Sequence, residues 1–222
     1  MKLITIEAKT LPDAWFQCCR KVMEEGREYV ITSGSFPGQK RKEFDMVSIR
    51  VEFPGSLPMV PDTPQGVPPP TTMDYVEKYL PYLVEAKTKE NNELYTYGDD
   101  LSIQIPEIVK KYENGGFDNN QCCMSVGNAQ SIFLEHSQCL RLIDTRILNG
   151  SLNFIVYFRS WDLWAGFPSN LAAIQIMKNY MADLIGVKDG ELLAFSKGLH
   201  LYDHCWDLAR VVTNLEVSNE KL

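Results

Sequence analysis

Residues 139–160 read CLRLIDTRILNGSLNFIVYFRS, two runs rich in β-branched and aromatic residues around Asn149-Gly150. An Asn-Gly pair in that setting predicts a two-residue hairpin, because a type I′ turn needs positive φ at both central positions. Strands are expected over Cys139–Leu148 and Ser151–Arg159, with Leu148 facing Ser151 and the pairs stepping outward from there. Cys139 then lies opposite Ser160, with Arg159 diagonal to it. A nearby guanidinium favours a thiolate, so this register nominates Cys139 as an activated nucleophile at the open end of the hairpin. A bulge would shift the pairing by one residue and turn Cys139 to the other face. One register is expected to be apolar, with Leu142, Phe154, Val156 and Phe158. The other is mixed.

Working outward, Asn170–Ile185 reads as the clearest helix. Leu171, Ile174, Met177, Met181 and Leu184 recur at helical spacing and Gly186 stops the run. Near the start, a strand is expected at Lys2–Glu7 and a helix from Pro12 to Glu25, capped by Thr10 and buried through Trp15, Cys18, Cys19 and Val22. Further strands are expected at Tyr29–Ser33, Phe44–Phe53, Gln121–Val126 and Glu191–Leu199. Helices are expected at Thr72–Ala86, interrupted by Pro81, and at Ile103–Tyr112. Seven prolines between Pro54 and Pro70 exclude regular structure there. They read as a surface excursion (54–70) within one domain spanning 1–222. The fold class is α+β, a mixed or antiparallel sheet layered with helices.

The chain has 222 residues, 45% of them apolar, and carries a net charge of −7. That material suffices for a real core, and the acidic balance argues against a duplex-binding protein. No apolar run reaches membrane-spanning length, and the first residues do not read as a signal peptide. A cytoplasmic location is therefore expected. Six cysteines, at 18, 19, 122, 123, 139 and 205, make a poor disulfide framework. His200 and His204 have the spacing of two metal ligands on one helix face, but with only Cys205 beside them and no further ligand in range, no metal is expected.

Residues 158–187, FRSWDLWAGFPSNLAAIQIMKNYMADLIGV, followed by GLHLYDH at 198–204, resemble the thymidylate synthases. That family has Arg-Ser-x-Asp at a strand end, Gly-x-Pro-x-Asn opening a helix, and His-x-Tyr. Arg159, Ser160 and Asp162, then Gly166, Pro168 and Asn170, then His200 and Tyr202 match it in order. Cys139 stands where the family keeps its nucleophile, and Tyr97-Gly98 resembles the Tyr-Gly before its long helix. The likeness is specific from Tyr97 to Tyr202, and the short length is similar to compact archaeal-type members.

The resemblance implies methylation of dUMP to dTMP, with 5,10-methylenetetrahydrofolate as co-substrate, in a homodimer packed through its sheet face. It implies no nucleic-acid or membrane partner. Cys139, Asn170 and Tyr97 are the implied catalytic residues. Arg159, Ser160, Asp162, Asn170, His200 and Tyr202 are the implied substrate-binding residues. Their chemistry suits the roles. A thiolate adding to uracil C6 activates C5, and Arg159 can bind a phosphate bidentately. An amide at position 170 can pair with N3–H and O4 together, and His200 and Tyr202 share one strand face, placed to grip a sugar hydroxyl.

Four departures from the family pattern stand out. Asp118-Asn119-Asn120-Gln121 replaces an Arg pair that reaches the partner subunit's phosphate. Gln138-Cys139-Leu140 replaces Pro-Cys-His. Glu77 is the nearest candidate for the folate-side acid. Glu220-Lys221-Leu222 lacks the usual apolar tail. Arg41 is a loose match to a further phosphate-binding Arg. Two alternatives stay open: a pyrimidine nucleotide hydroxymethylase of the same superfamily, or a non-catalytic nucleotide-binding relative.

Overall fold

Asn149 and Gly150 take φ of 52° and 72°, the left-handed pair that a type I′ turn requires. They join β6 (Leu140–Leu148) to β7 (Ser151–Phe158) in a computed structural model that describes residues 1–34, 36–86 and 95–215. Leu148 faces Ser151 and Leu142 faces Tyr157, as a two-residue turn dictates, but Leu140 faces Phe158. Arg141 is therefore a bulge. Cys139 lies across from Arg159 rather than Ser160, and the Arg159 N–H donates to the Cys139 carbonyl at 2.8 Å. Between the turn and the bulge the register set by the turn decides the faces. Leu142 is half-buried opposite Tyr157, while Ile143, Thr145 and Ile147 join Phe154, Val156 and Phe158 in the core.

The hairpin sits in a six-stranded mixed sheet. Its other strands are β1 (Leu3–Ala8), β4 (Met46–Val51), β5 (Cys123–Ser125) and β9 (Lys188–Ser196), in the order β1-β4-β9-β7-β6-β5. β1 runs parallel to β4 and β7 parallel to β9; the remaining pairs are antiparallel. Alternate residues on one face, among them Ile6, Ile49, Ala194 and Phe154, are buried. On the other face Leu142, Ile155, Tyr157, Leu193 and Phe195 stay half exposed.

Helices cover the buried face. α1 (Leu11–Glu25) is capped by Thr10, whose hydroxyl accepts from the Asp13 N–H at 3.3 Å. α2 (Met73–Val84), α3 (Gly98–Gly115) and α1 all pack against α4 (Gly166–Ile185). α4 is apolar nearly all round because it is enclosed on most sides, although Leu184 at its end is 47% exposed rather than part of the buried stripe. It begins at Gly166, four residues earlier than its periodicity suggests. Lys178 on α4 is wholly buried and spends its ammonium on the carbonyls of Gly190 and Glu191, at 2.6 and 3.2 Å, and on Asp189. Burial pushes its pKa down to about 8, against the pull of Asp189.

A second, four-stranded sheet has the order β2 (Arg27–Val30), β3 (Lys40–Glu43), β10 (Leu199–Tyr202), β8 (Trp161–Asp162). Residues 54–70 hold no helix or strand, yet Met59, Val60 and Val67 pack on the core. α5 (Trp206–Thr213) closes the described chain against α1.

The junction of α2 and α3 has no slack. A Cβ on Gly98 would lie 1.9 Å from the Glu85 carbonyl oxygen, so the backbone itself would have to move. Gly98→Ala is expected to cost about 3 kcal/mol, read as a lowered urea midpoint. An unchanged midpoint would show that the two helices can part freely.

Candidate active site

The turn from β8 into α4 carries most of the polar residues singled out above. The Asp162 carboxylate accepts from the backbone N–H groups of Trp164, Ala165 and Gly166 at 3.3, 3.0 and 2.9 Å, satisfying amides that open the helix. From the other side the Trp15 indole N–H reaches the carbonyls of Leu163 and Trp164 at 3.0 and 3.1 Å. β8 lies parallel to β10: Trp161 N–H donates to Gly198 and Leu163 N–H to His200, at 2.9 and 2.8 Å. The intervening Asp162 N–H points away from β10, since amides alternate along a strand.

His200 is 3% exposed. Its Nδ1 lies 2.8 Å from the Gly198 carbonyl, while Nε2 is buried with no hydrogen-bond partner among the described residues. Burial pushes its pKa down, outweighing that carbonyl. The ring is therefore a neutral imidazole with Nδ1–H donating and a lone pair on Nε2. It meets Tyr202 edge to face, with centroids 4.9 Å apart, so the two do share a strand face. Arg41 pairs across from Tyr202; its guanidinium is bound to Glu43 at 2.9 Å and to the Tyr29 hydroxyl. His204 is exposed in a 3₁₀ turn after β10, not on a helix with His200. Among the described residues no group of three or more His, Cys, Asp or Glu is arranged to hold a metal.

Half-buried Cys139 sits at the end of β6. The Arg159 guanidinium folds back on the residues preceding it: Nε donates to the Gln138 carbonyl at 3.1 Å and an Nη to that of Ser137. Two tyrosines close the other side. The Tyr97 hydroxyl accepts from the Leu140 N–H at 3.4 Å, and the Tyr95 hydroxyl reaches the Ser137 carbonyl at 3.4 Å. Burial pushes the phenols of Tyr95, Tyr97 and Tyr202 up, and a charge on Cys139 adds to the push on each. Tyr95, Tyr97 and Tyr202 are thus within electrostatic reach of the Cys139 thiol. Ser160 is half-buried in the link from β7 to β8.

Asn170 lines a cavity of about 450 Å³ with Tyr75, Tyr79, Gly166 and Ser169, and no lining residue is charged. Its Oδ1 accepts from the Trp161 indole N–H and its Nδ2 donates to the Tyr79 hydroxyl, both at 2.9 Å. Tyr75, Tyr79 and Tyr82 form a ring ladder along α2. Glu77 is exposed and lies two residues from both Tyr75 and Tyr79, on a different side of α2. Asn120 and Gln121 are exposed before β5, and Glu220–Leu222 lie outside the described residues. Sequence reasoning missed Tyr79, Tyr95 and the Trp161 indole N–H. The i, i+4, i+7 spacing of the α2 tyrosines was the available signal.

The family model for thymidylate synthase matches residues 96–220, more than half of the chain, and the chain belongs to that family. It is also similar along most of its length to archaeal proteins named "Putative thymidylate synthase". The one from Methanosarcina barkeri is 26% identical over 209 residues, covering 91% of each chain. Those from Methanosarcina acetivorans and Methanococcoides burtonii are 25% and 24% identical, again over 91% of each chain.

The neutral His200 sets a pH dependence. Between its lowered folded value and the ~6.5 of an unfolded histidine, the unfolded chain binds more protons than the folded one. Stability therefore rises with pH through that window and is lost as pH falls. His200→Asn is expected to flatten this slope in urea unfolding between about pH 5 and 7.5. Equal slopes in the two proteins would contradict it.

Proposed function

We propose that the protein methylates dUMP at C5 to give dTMP, through a Cys139 thiolate adduct at uracil C6. The observation that carries this reading is Cys139 across from Arg159, with Tyr97 on one side and Tyr202 within reach on the other. Methylenetetrahydrofolate supplies the one-carbon unit and the hydride when bound, and the uncharged, tyrosine-walled cavity beside Asn170 suits its flat ring.

The protein's own groups have defined tasks in this reading. Addition of the thiolate to C6 moves an electron pair toward O4 and makes C5 nucleophilic. Asn170 steadies that oxygen with an N–H and takes the N3 hydrogen on its carbonyl. The Asp162 backbone N–H, facing away from β10, is the donor for a base carbonyl, since its carboxylate is spent on the α4 amides. The His200 Nε2 lone pair takes the hydrogen of a sugar hydroxyl, beside Tyr202. Arg159 keeps three of its five N–H donors after bonding Ser137 and Gln138. These and Ser160 bind the phosphate, with Arg41 as a further cation. Tyr97 holds a phenolic proton beside the nucleophile. With Asn120 and Gln121 in place of charged residues, phosphate affinity rests mainly on Arg159.

The same reading takes 1–222 as one domain working in the cytoplasm as a homodimer. Two copies of the open sheet face, with Leu142, Ile155, Tyr157, Leu193 and Phe195, bury each other isologously. No helix among the described residues is long and apolar enough to cross a membrane. Sedimentation without nucleotide is expected to give a dimer at micromolar concentration; a monomer would mean that this face does not self-associate.

With 5-fluoro-dUMP and methylenetetrahydrofolate, the wild type is expected to form a covalent complex at Cys139, seen by mass spectrometry, and Cys139→Ser none. With dUMP the product is expected to gain a methyl group. A hydroxymethyl gain would instead identify a hydroxymethylase, and nucleotide binding without product a non-catalytic relative.

A further inference from the structure

Asn170 is not a free amide. Its Oδ1 faces the Trp161 indole N–H, which can only donate. A half-turn of the amide would set N–H against N–H at that position, so which end is oxygen is settled by the indole. On the other side Nδ2 donates to Tyr79, whose phenol stays protonated because burial holds its pKa well above the usual range. Neither partner is loose. Trp161 is 3% exposed and its ring lies flat on Phe158, with centroids 3.9 Å apart and planes 6° apart. Tyr79 is stacked between Tyr75 and Tyr82. One lone pair on Oδ1 and one hydrogen on Nδ2 remain for a ligand in the adjoining cavity.

The order of those two groups carries information. Uracil presents a donor at N3 and an acceptor at C4; cytosine presents the reverse. An asparagine free to rotate can serve either base, because a half-turn exchanges its donor and acceptor. One that is clamped serves only one.

Resting on the nucleotide site proposed above, we infer that Trp161 is a specificity-determining positioning residue: by locking the Asn170 amide in one orientation, its indole N–H makes the site select uracil over cytosine nucleotides. The discrimination is built into the helix entrance and needs no charged group near the base.

Calorimetric titration of the full chain with dUMP and with dCMP, without folate, tests this. The wild type is expected to prefer dUMP. Trp161→Phe keeps a ring over Phe158 and removes the N–H; Tyr79→Phe keeps the stacked ring and removes the hydroxyl. In Trp161→Phe the preference for dUMP over dCMP is expected to shrink about tenfold, with dUMP binding weakened and dCMP binding held or improved; in Tyr79→Phe the indole still fixes the oxygen, so the preference is expected to hold. If Trp161→Phe does not fold, Trp161→Leu, which also lacks the N–H, carries the test. An unchanged ratio, or an equal loss for both nucleotides, on removal of the indole N–H overturns the clamp while leaving the nucleotide site intact. A wild type that prefers dCMP overturns the assigned orientation. If the wild type binds neither nucleotide, the reading of the site falls, and the clamp with it.

Discussion

The three hydrogen bonds that the Asp162 carboxylate accepts from the first amides of α4 hold more than a helix end. They fix where a two-residue strand stops and a buried helix starts. Trp161, one residue before, is thereby held between Phe158 and Asn170; His200 is held beside Asp162 by the β8–β10 pairing. Without that carboxylate the amides would face a buried turn with only water to satisfy them, which costs more than a normal hydrogen bond contributes. The Trp15 indole, bonding two carbonyls of the same turn, ties this arrangement to α1. The site is thus carried by backbone that is bonded on both its N–H and its C=O sides.

Around that turn the side chains fall into two kinds. Asp162 and Lys178 are spent on the fold, each holding backbone groups that no secondary structure satisfies. His200, Arg159 and Asn170 are each bonded on one side and left with capacity on another: a lone pair on Nε2, guanidinium hydrogens, half of an amide. Partial satisfaction of buried polar groups costs stability. Around this turn that cost falls on His200, whose Nε2 is buried with no partner among the described residues.

What was legible in the sequence was chemistry that acts locally. Asn149-Gly150 could only make one kind of turn, Thr10 only one kind of cap, and the apolar spacing after Asn170 only a helix. The Arg141 bulge was not legible, because nothing in LRL distinguishes the residue that steps out of register; its neighbours in space decide it. β3, Lys40–Glu43, has no apolar alternation, and β8 has two residues, so neither carries a pattern to read. The polar use of Trp161 was hidden for the same reason. An indole reads as bulk until a specific acceptor stands opposite it, and that acceptor is nine positions away across a turn.

The four-stranded sheet has a kinetic meaning. It joins β2 and β3, from the first fifth of the chain, to β8 and β10, from its last third, and the Lys40 N–H closes on the Asp203 carboxylate across 163 positions. The β6–β7 hairpin can form from neighbours alone within microseconds, but His200, Tyr202 and Arg41 meet only after nearly the whole chain has been brought together. Loop-closure entropy is spent before those contacts return anything. The hairpin that carries Cys139 is therefore among the earliest structure available to the folding chain, and the packing of His200, Tyr202 and Arg41 among the last.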